Sequence, residues 1–162
     1  MGREVRKVPE NWVHPTHWRY KKLVHTPLLP ADYYIEDCKE YETGEREEKP
    51  VLIDYMPDWP ESEKTHYQMY EDCSEGTPIS PVCDSPESLA HWLADNNASA
   101  FGNDTATYDE WLKMIERGSA PTAVIVSGKI TSGVKSCSAP EWRIESKGET
   151  PRRILIKSSR II

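Results

Sequence analysis

Two helix-start signals follow one another within residues 85–118, and this pair constrains the fold more than any other feature of the chain. Ser85 and Pro86 favour the start of a first helix. A serine hydroxyl accepts hydrogen bonds from the free N–H groups of the opening turn, and proline has no such N–H to leave unpaired. Thr107 and Glu110 have the spacing of a capping box, which starts a second helix. We therefore predict two short helices, at about 86–96 and 107–117.

Both predicted helices are amphipathic. Their apolar side chains recur at intervals of three and four residues, which places them on one face of a helix. The first stripe contains Leu89, Trp92 and Leu93, and the second contains Tyr108, Trp111, Leu112 and Ile115. An apolar stripe has to be buried against another element. We therefore predict that Trp92 and Trp111 lie in one core, on facing stripes.

Strand patterns flank the two helices. Residues 65–72 (THYQMYED) are rich in aromatic side chains and alternate between two faces, which predicts a strand. After Pro121, the β-branched run TAVIVS, a Gly-Lys turn and the run ITSGV predict a β-hairpin at about 122–134. The segment Arg3–Val8 is a candidate for a short edge strand. The predicted fold class is therefore α+β, a small antiparallel sheet that carries the two amphipathic helices.

The segment 31–60 gives weaker signals. Apolar side chains recur at helical spacing over residues 33–41, which favours a helix. The polar run 43–49 is typical of a solvated loop. The apolar island 50–60 (PVLIDYMPDWP) is typical of a strand or an extended segment that ties this loop to the body of the domain.

Charge is distributed unevenly along the chain, whose formal net charge is −7. Residues 1–30 carry +4, residues 31–75 carry −11, residues 76–118 carry −5 and residues 119–162 carry +5. We predict a single α+β domain over residues 1–135, which includes the acidic segment 31–75, and a basic, strand-forming C-terminal extension over residues 136–162. Two interpretations of the acidic segment stay open: the basic ends of the chain neutralise it, or it faces a partner as a negative field.

The aromatic composition suits a core edge or an interface. Six Trp and eight Tyr, against one Phe, combine large apolar rings with a polar atom. No run of about 18 apolar residues is present, so we expect no transmembrane helix and no membrane partner. The basic N-terminal residues lack the apolar stretch of a secretory signal, and the four cysteines are scattered, which favours reduced thiols. We expect a soluble, cytoplasmic protein.

No combination of side chains has the spacing of a known catalytic or metal site. His14 and His17 form half of a zinc pattern, but no pair of closely spaced cysteines completes it. Cys83 and His91 offer a thiol nucleophile and a base, with a buried structural thiol as the alternative. The turn SEGTPISP at 74–81 is a candidate anion or enzyme site, with a rigid connector as its alternative. We expect no metal and no cofactor, and we favour a protein without catalytic activity.

Longer strings in the chain carry a family resemblance. These strings are REVRKVPENWVHP, DYMPDWP, MYEDCSEGTPISPV, WLADNNASAF and APTAVIVSGKITSGV. Together they resemble a group of small accessory proteins encoded by tailed bacteriophages and prophages, over most of residues 2–134. The group supplies no catalytic residues that can be carried over. The resemblance implies a phage protein that acts on a host component in the host cytoplasm.

The leading hypothesis is a phage-encoded protein that binds a host protein through an acidic, aromatic-rich surface. A counter-defence inhibitor of the anti-CRISPR or anti-restriction type would act in this way, on a nucleic-acid-handling defence complex. The predicted partner-binding residues are Tyr33, Tyr34, Glu42, Glu45, Glu47, Glu48, Tyr55 and Trp59. Two alternatives stay open: a small enzyme that uses the turn 74–81, and a nucleic-acid-binding protein that uses its basic ends, including residues 143–160.

Overall fold

The computed structural model describes residues 2–71, 76–126 and 128–138. The fold is α+β, as predicted. The strands are β1 (Arg3–Val8), β2 (Thr16–Arg19), β3 (Lys22–His25), β4 (His66–Glu71), β5 (Ser99–Phe101), β6 (Asp104–Thr105), β7 (Ser119–Ala120), β8 (Ala123–Val126) and β9 (Lys129–Ser132). The helices are α1 (Ala31–Thr43), α2 (Pro86–Asp95), α3 (Tyr108–Arg117) and α4 (Gly133–Ser136), with a 3-10 turn at Leu52–Asp54. No helix in the described ranges combines the length and the apolar character of a membrane span.

Strand β1 lies at the centre of a three-stranded antiparallel sheet in the order β4-β1-β7. All six residues of β1 pair with β4, with Val5 opposite Met69. On its other side Arg3 pairs with Ala120 of β7. The prediction of an edge strand was therefore wrong. The reason is that β7 is only two residues long and follows α3 directly, so no strand pattern in the sequence marks it.

The sheet carries a hydrophobic core on each face, because successive strand residues point to opposite sides. Met69 belongs to the larger core, to which α2, α3 and α4 contribute. The next residue, Tyr70, belongs to a second core with Val8, Leu28 and Met56. The predicted alternation of this strand is therefore confirmed, and both of its faces are buried.

The caps that the sequence predicts for the two central helices are formed. The Ser85 hydroxyl accepts a hydrogen bond from the N–H of Ser88 at 3.1 Å. At the start of α3 the Thr107 hydroxyl accepts from the N–H of Glu110, and the Glu110 carboxylate accepts from the N–H of Thr107 at 2.8 Å. Both helix starts are thus fixed by local side-chain contacts, which is why the sequence alone was enough to predict them.

The two tryptophans that were predicted to share the core differ in burial. Trp111 is completely buried in the larger core, as predicted. Trp92 is only half-buried and packs against that core from outside. The inner positions of α2 are instead Leu89, Ala90 and Leu93. The buried stripe therefore includes the small side chain of Ala90, and the larger indole of Trp92 lies at the margin.

The predicted β-hairpin is present as β8 and β9, with Ile125 opposite Ile130. Its last two predicted residues, Gly133 and Val134, belong to α4 instead. The Ser132 hydroxyl starts this helix by accepting from the N–H of Lys135 at 3.1 Å. Residues 139–162, which include most of the predicted strand-forming extension, lie outside the described residues.

The weak helical signal at 33–41 corresponds to α1, which ends at Gly44 with a positive φ of 79°. The predicted loop follows it. Residues 50–60 do not form a regular strand: Leu52–Asp54 make the 3-10 turn, and a single parallel bridge joins Tyr55 to Leu29.

Candidate interaction surface

Helix α1 exposes three of its four large apolar side chains. Tyr33, Ile35 and Tyr41 are all exposed to solvent, Ile35 to 59%. None of the α1 side chains belongs to either hydrophobic core of the described residues. A surface helix normally turns its apolar side chains towards a core. Helix α1 must therefore be held to the domain by contacts of another kind.

A buried carboxylate supplies that attachment. Asp37, which is 7% exposed, lies on the inner side of α1. The Tyr55 hydroxyl donates a hydrogen bond to Asp37 Oδ2 at 2.5 Å. The Arg46 guanidinium lies 2.9 Å from the same oxygen. The ring of Tyr34 packs edge-to-face on Tyr55, with centroids 5.1 Å apart. A carboxylate in a buried position is stable only with such partners, so the Asp37 cluster fixes the helix to the chain that follows it.

The tight end of α1 brings Arg46 to this carboxylate. Gly44 adopts a left-handed conformation, which glycine reaches without the steric cost that a Cβ adds. The carbonyl of Glu40 then accepts from the N–H groups of Glu45 and Arg46, at 2.8 and 3.1 Å. The chain folds back along the helix, so the loop after α1 is tied to the helix itself.

Burial and the Asp37 carboxylate also set the ionisation of the anchoring tyrosine. Loss of solvent, followed by the hydrogen bond to Asp37 and the negative charge of that carboxylate, raises the pKa of Tyr55 to about 12. Each of these causes disfavours the phenolate. Tyr55 is therefore a neutral donor at every physiological pH, and the attachment of α1 does not depend on its titration.

The outer side of this unit is strongly acidic. Residues 31–54 contain nine acidic and three basic residues, a formal net charge of −6. Most of the carboxylates are exposed: Asp32, Glu36, Glu42, Glu45, Glu47, Glu48 and Asp54. Burial, and then the charges of Glu4, Asp32 and Glu36, raise the pKa of Tyr33. Three carboxylates, opposed by the charge of Arg6, thus act on the partly exposed ring of Tyr33.

Exposed aliphatic side chains continue this surface beyond the helix. Val51, Leu52 and Ile53 are all exposed, Ile53 to 79%. The turn that carries them leads directly into Tyr55, which lies against α1. Backbone hydrogen bonds hold it in place, from Leu29 N–H to the Asp54 carbonyl and from Met56 N–H to the Leu29 carbonyl. We call residues 31–54 the acidic face: carboxylates interspersed with exposed tyrosine and aliphatic side chains on a fixed backbone.

The eight predicted partner-binding residues divide into two groups. Tyr33 and the four glutamates of the set are exposed on the acidic face. Tyr34 is half-buried against Tyr55, and Tyr55 is itself 5% exposed. Trp59 is half-buried and packs edge-to-face on Trp12, with centroids 4.7 Å apart. Tyr34 and Tyr55 thus support the surface, whereas Trp59 packs against the second core. Whether the exposed members contact a partner stays a prediction.

Four exposed aliphatic residues of the acidic face are absent from the predicted set of partner-binding residues. These are Ile35, Val51, Leu52 and Ile53. The apolar run at 51–53 was visible in the sequence, but an apolar run alone does not tell whether it is buried. In the structure this run lies in a 3-10 turn outside both cores of the described residues.

The histidines that resemble half of a metal site have structural partners. His14 is buried, with Nε2 at 2.7 Å from the carbonyl of Thr26 and Nδ1 at 3.2 Å from the Tyr70 hydroxyl. Burial lowers the pKa of His14. His17 Nδ1 contacts the Thr26 hydroxyl at 3.1 Å. Both nitrogens of His14 are thus engaged, and no cluster of three potential ligands among the described residues could hold a metal.

The candidate nucleophile and the candidate enzyme turn also have local roles. Burial, and then the charge of Asp84, raise the pKa of the Cys83 thiol, which is opposite to what a thiolate nucleophile needs. In the turn at 74–81, the Ser80 hydroxyl accepts from the N–H of Met69 and donates to the Pro81 carbonyl, each at 2.9 Å. Ser80 therefore connects this segment to β4. Residues 74 and 75 lie outside the described residues.

Comparison of the chain with models of protein families, with curated proteins and with solved structures finds no match. The resemblance to phage accessory proteins thus stays a prediction, and the acidic face is the feature from which a function has to be inferred.

Proposed function

We propose that this protein acts by binding a basic surface of another protein with its acidic face. The observation that carries the proposal is helix α1. Its inner side is fixed through Asp37, and the side chains of Tyr33, Ile35 and Tyr41 are exposed among carboxylates. The exposed part of an apolar side chain contributes nothing to folding, whereas it contributes to binding when a partner removes it from water.

The composition of the acidic face favours a protein partner over other ligands. Tyrosine is enriched at protein interfaces, since its ring buries apolar area while its hydroxyl keeps a polar contact. Tyr33, Ile35 and Ile53 supply the apolar contacts. The surrounding carboxylates would repel nucleic acids and anionic lipids, and they would attract lysine and arginine side chains.

The phage resemblance supplies the context of the proposal. The partner would be a host protein in the host cytoplasm, and a basic surface of such a protein is often the one that binds nucleic acid. An acidic face that occupies this surface would compete with the nucleic acid. The protein would then act as a counter-defence inhibitor without any catalytic step.

The test is capture of partners from nuclease-treated lysate of a bacterial host, with the parent chain and two matched variants. The face variant replaces Tyr33 and Ile35 by alanine, which leaves the backbone and the charges of α1 in place. A second variant replaces the four predicted glutamates (Glu42, Glu45, Glu47 and Glu48) by glutamine. We expect the parent to retain one protein in stoichiometric amount and both variants to lose it.

A control variant separates the acidic face from net charge. It replaces four exposed acids on α2 and α3, namely Glu87, Asp95, Asp109 and Glu116, by their amides. Its net charge equals that of the glutamine variant. If the control captures the partner as the parent does and the glutamine variant does not, the acidic face is the binding site and net charge is not the cause. Equal capture by all variants, or recovery that disappears with nuclease treatment, would contradict the proposal.

A further inference from the structure

The hairpin of β2 and β3 projects from the domain with both of its faces in water. Seven of its eight strand residues are exposed, and Val24 alone is half-buried. Its large apolar side chains lie in solvent, Trp18 exposed to 74% and Tyr20 to 86%. A two-stranded hairpin without a packed face is marginally stable in water. Contacts outside its two strands must therefore stabilise this exposed aromatic hairpin, and its surface is available to a ligand.

Contacts at the base of the hairpin hold it in position. The N–H of Thr26 donates to the Pro15 carbonyl at 2.9 Å, across the open end of the hairpin. The Thr26 carbonyl contacts His14, whose other nitrogen contacts the Tyr70 hydroxyl in the second core. The His25 ring packs edge-to-face on His14, with centroids 5.4 Å apart. The base is thus connected to a buried network, while the tip extends into solvent.

The tip adopts a conformation that its residues disfavour. Tyr20 and Lys21 form the two-residue loop, and both have positive φ, 49° and 63°. Two-residue hairpin loops of this type prefer asparagine and glycine, because a Cβ makes the left-handed region costly. The loop instead carries an aromatic and a cationic side chain. Strained positions of this kind concentrate at functional sites.

The hairpin is cationic in a chain of net charge −7. Arg19, Lys21 and Lys22 place three positive charges within four consecutive residues, and all three are exposed. The Arg19 guanidinium lies over the Tyr20 ring, 5.4 Å from its centroid. No ion pair joins these three side chains to a carboxylate of the described ranges. Their charges are therefore available to an anionic ligand.

We propose that the β2–β3 hairpin binds single-stranded nucleic acid. Unpaired bases would stack on Trp18 and Tyr20, and the phosphates between them would pair with Arg19, Lys21 and Lys22. Aromatic rings that alternate with cations are the composition that such ligands need, since every base has a stacking face and every linkage carries a charge. This inference does not depend on the acidic face and uses a different part of the chain.

Two other occupants fit this hairpin less well. A lipid bilayer would receive the tip first, and the tip carries Lys21 between Arg19 and Lys22, which the hydrocarbon region excludes. A second copy of the chain would have to bring its own acidic face to the hairpin. That contact would join two different surfaces of the chain, and it would leave the exposed rings of Trp18 and Tyr20 facing carboxylates.

The experiment measures fluorescence anisotropy of a labelled 20-nucleotide oligothymidylate with the full chain at 50 and 200 mM salt. Three phosphate contacts on a single strand give a salt slope of about −2, so affinity should fall by about 20-fold between these concentrations. Replacement of Arg19, Lys21 and Lys22 by glutamine should abolish the salt dependence together with most of the binding. Trp18→Ala and Tyr20→Ala should each weaken binding by at least about five-fold.

A matched control replaces three exposed lysines elsewhere, Lys39, Lys113 and Lys129, by glutamine. It has the same net charge as the hairpin variant and should bind like the parent. All hairpin variants should have the same melting temperature as the parent, because their altered side chains are exposed. Oligouridylate of the same length should bind comparably, since stacking and phosphate contacts are common to both.

Several outcomes would overturn the inference. Binding that survives in the hairpin variants would place the nucleic-acid site elsewhere, including residues 143–160. A duplex of the same length that binds more tightly than the single strand would remove base stacking from the explanation. Binding of phosphatidylserine vesicles without any binding of the oligonucleotide would identify a lipid surface. Hairpin-dependent self-association in sedimentation would identify a second copy as the occupant.

Discussion

Removal of a single hydroxyl group tests how helix α1 is attached. In Tyr55→Phe the ring stays against Tyr34, and only the hydrogen bond to the Asp37 carboxylate is lost. A hydrogen bond to a charged group contributes about 1.5–3 kcal/mol, and the loss is at the upper end when the carboxylate remains buried. Asp37 keeps its ion pair with Arg46, so the helix should still form in Tyr55→Phe, with weaker attachment.

The loss should appear as local opening of α1. Because α1 contributes no side chain to either core of the described residues, the helix can detach while both cores persist. The expected 1.5–3 kcal/mol corresponds to amide exchange about 10 to 150 times faster. We expect this acceleration for α1 amides in hydrogen exchange followed by mass spectrometry or NMR, with a much smaller change in α2 and α3.

Tyr41→Phe is the matched control, because it deletes the same group from an exposed ring of the same helix. It should leave exchange unchanged. The reasoning is refuted if the two variants behave alike. It is also refuted if α2 and α3 accelerate as much as α1, because the helix would then unfold only together with the cores.

Three further predictions concern the body of the domain. Trp111→Ala should lower the free energy of unfolding by about 3–5 kcal/mol in urea denaturation, and Trp92→Ala by clearly less, because that indole is half-buried; equal losses would contradict the assigned packing. Burial lowers the pKa of His14, so the unfolded chain binds more protons than the folded one. The free energy of unfolding should therefore fall as the pH decreases below about 6.5. This dependence of stability on pH should weaken in His14→Gln but not in His17→Gln. Gly133→Ala should lower the melting temperature, because an added Cβ would overlap a backbone carbonyl; an unchanged melting temperature would show that α4 can shift.

The sequence was informative where structure is set by near neighbours. Two helix starts are fixed by contacts within three residues. The residues that make these contacts, Ser85, Thr107 and Glu110, can be recognised in the sequence. The Gly128 turn between two β-branched runs similarly marks the β8–β9 hairpin. Local hydrogen bonds and hydrophobic periodicity therefore determine α2 and α3 of the larger core, whereas its short elements β5, β7 and α4 carry no such signal.

Long-range pairing was not predictable in the same way. The central position of β1 depends on β7, which is more than a hundred residues away and too short to show a strand pattern. The acidic face depends on Asp37, Arg46 and Tyr55 meeting at one carboxylate oxygen. Nothing in the composition of residues 31–54 distinguishes this buried carboxylate from its exposed neighbours. The acidic character of the candidate surface was therefore predictable, whereas its inner side was not.

The structure also bears on the two interpretations of the acidic segment. If the basic ends neutralised it, ion pairs would connect residues 1–30 with residues 31–75. In the described part of the chain, one such pair is present, Arg3 with Glu71 at 3.4 Å, and it lies in the central sheet rather than on the acidic face.

The glutamine variant of Glu42, Glu45, Glu47 and Glu48 decides between the two interpretations. Exposed charges contribute little to stability, so a partner-facing field predicts a nearly unchanged melting temperature. It also predicts slower association with the captured partner and a weaker effect of salt on that rate, because long-range attraction acts before contact. Self-neutralisation predicts the opposite pair of results, a changed melting temperature and an unchanged association rate. Since residues 139–162 carry further basic groups, the variant has to be measured in the full chain, where any pairing with these groups would appear as lost stability.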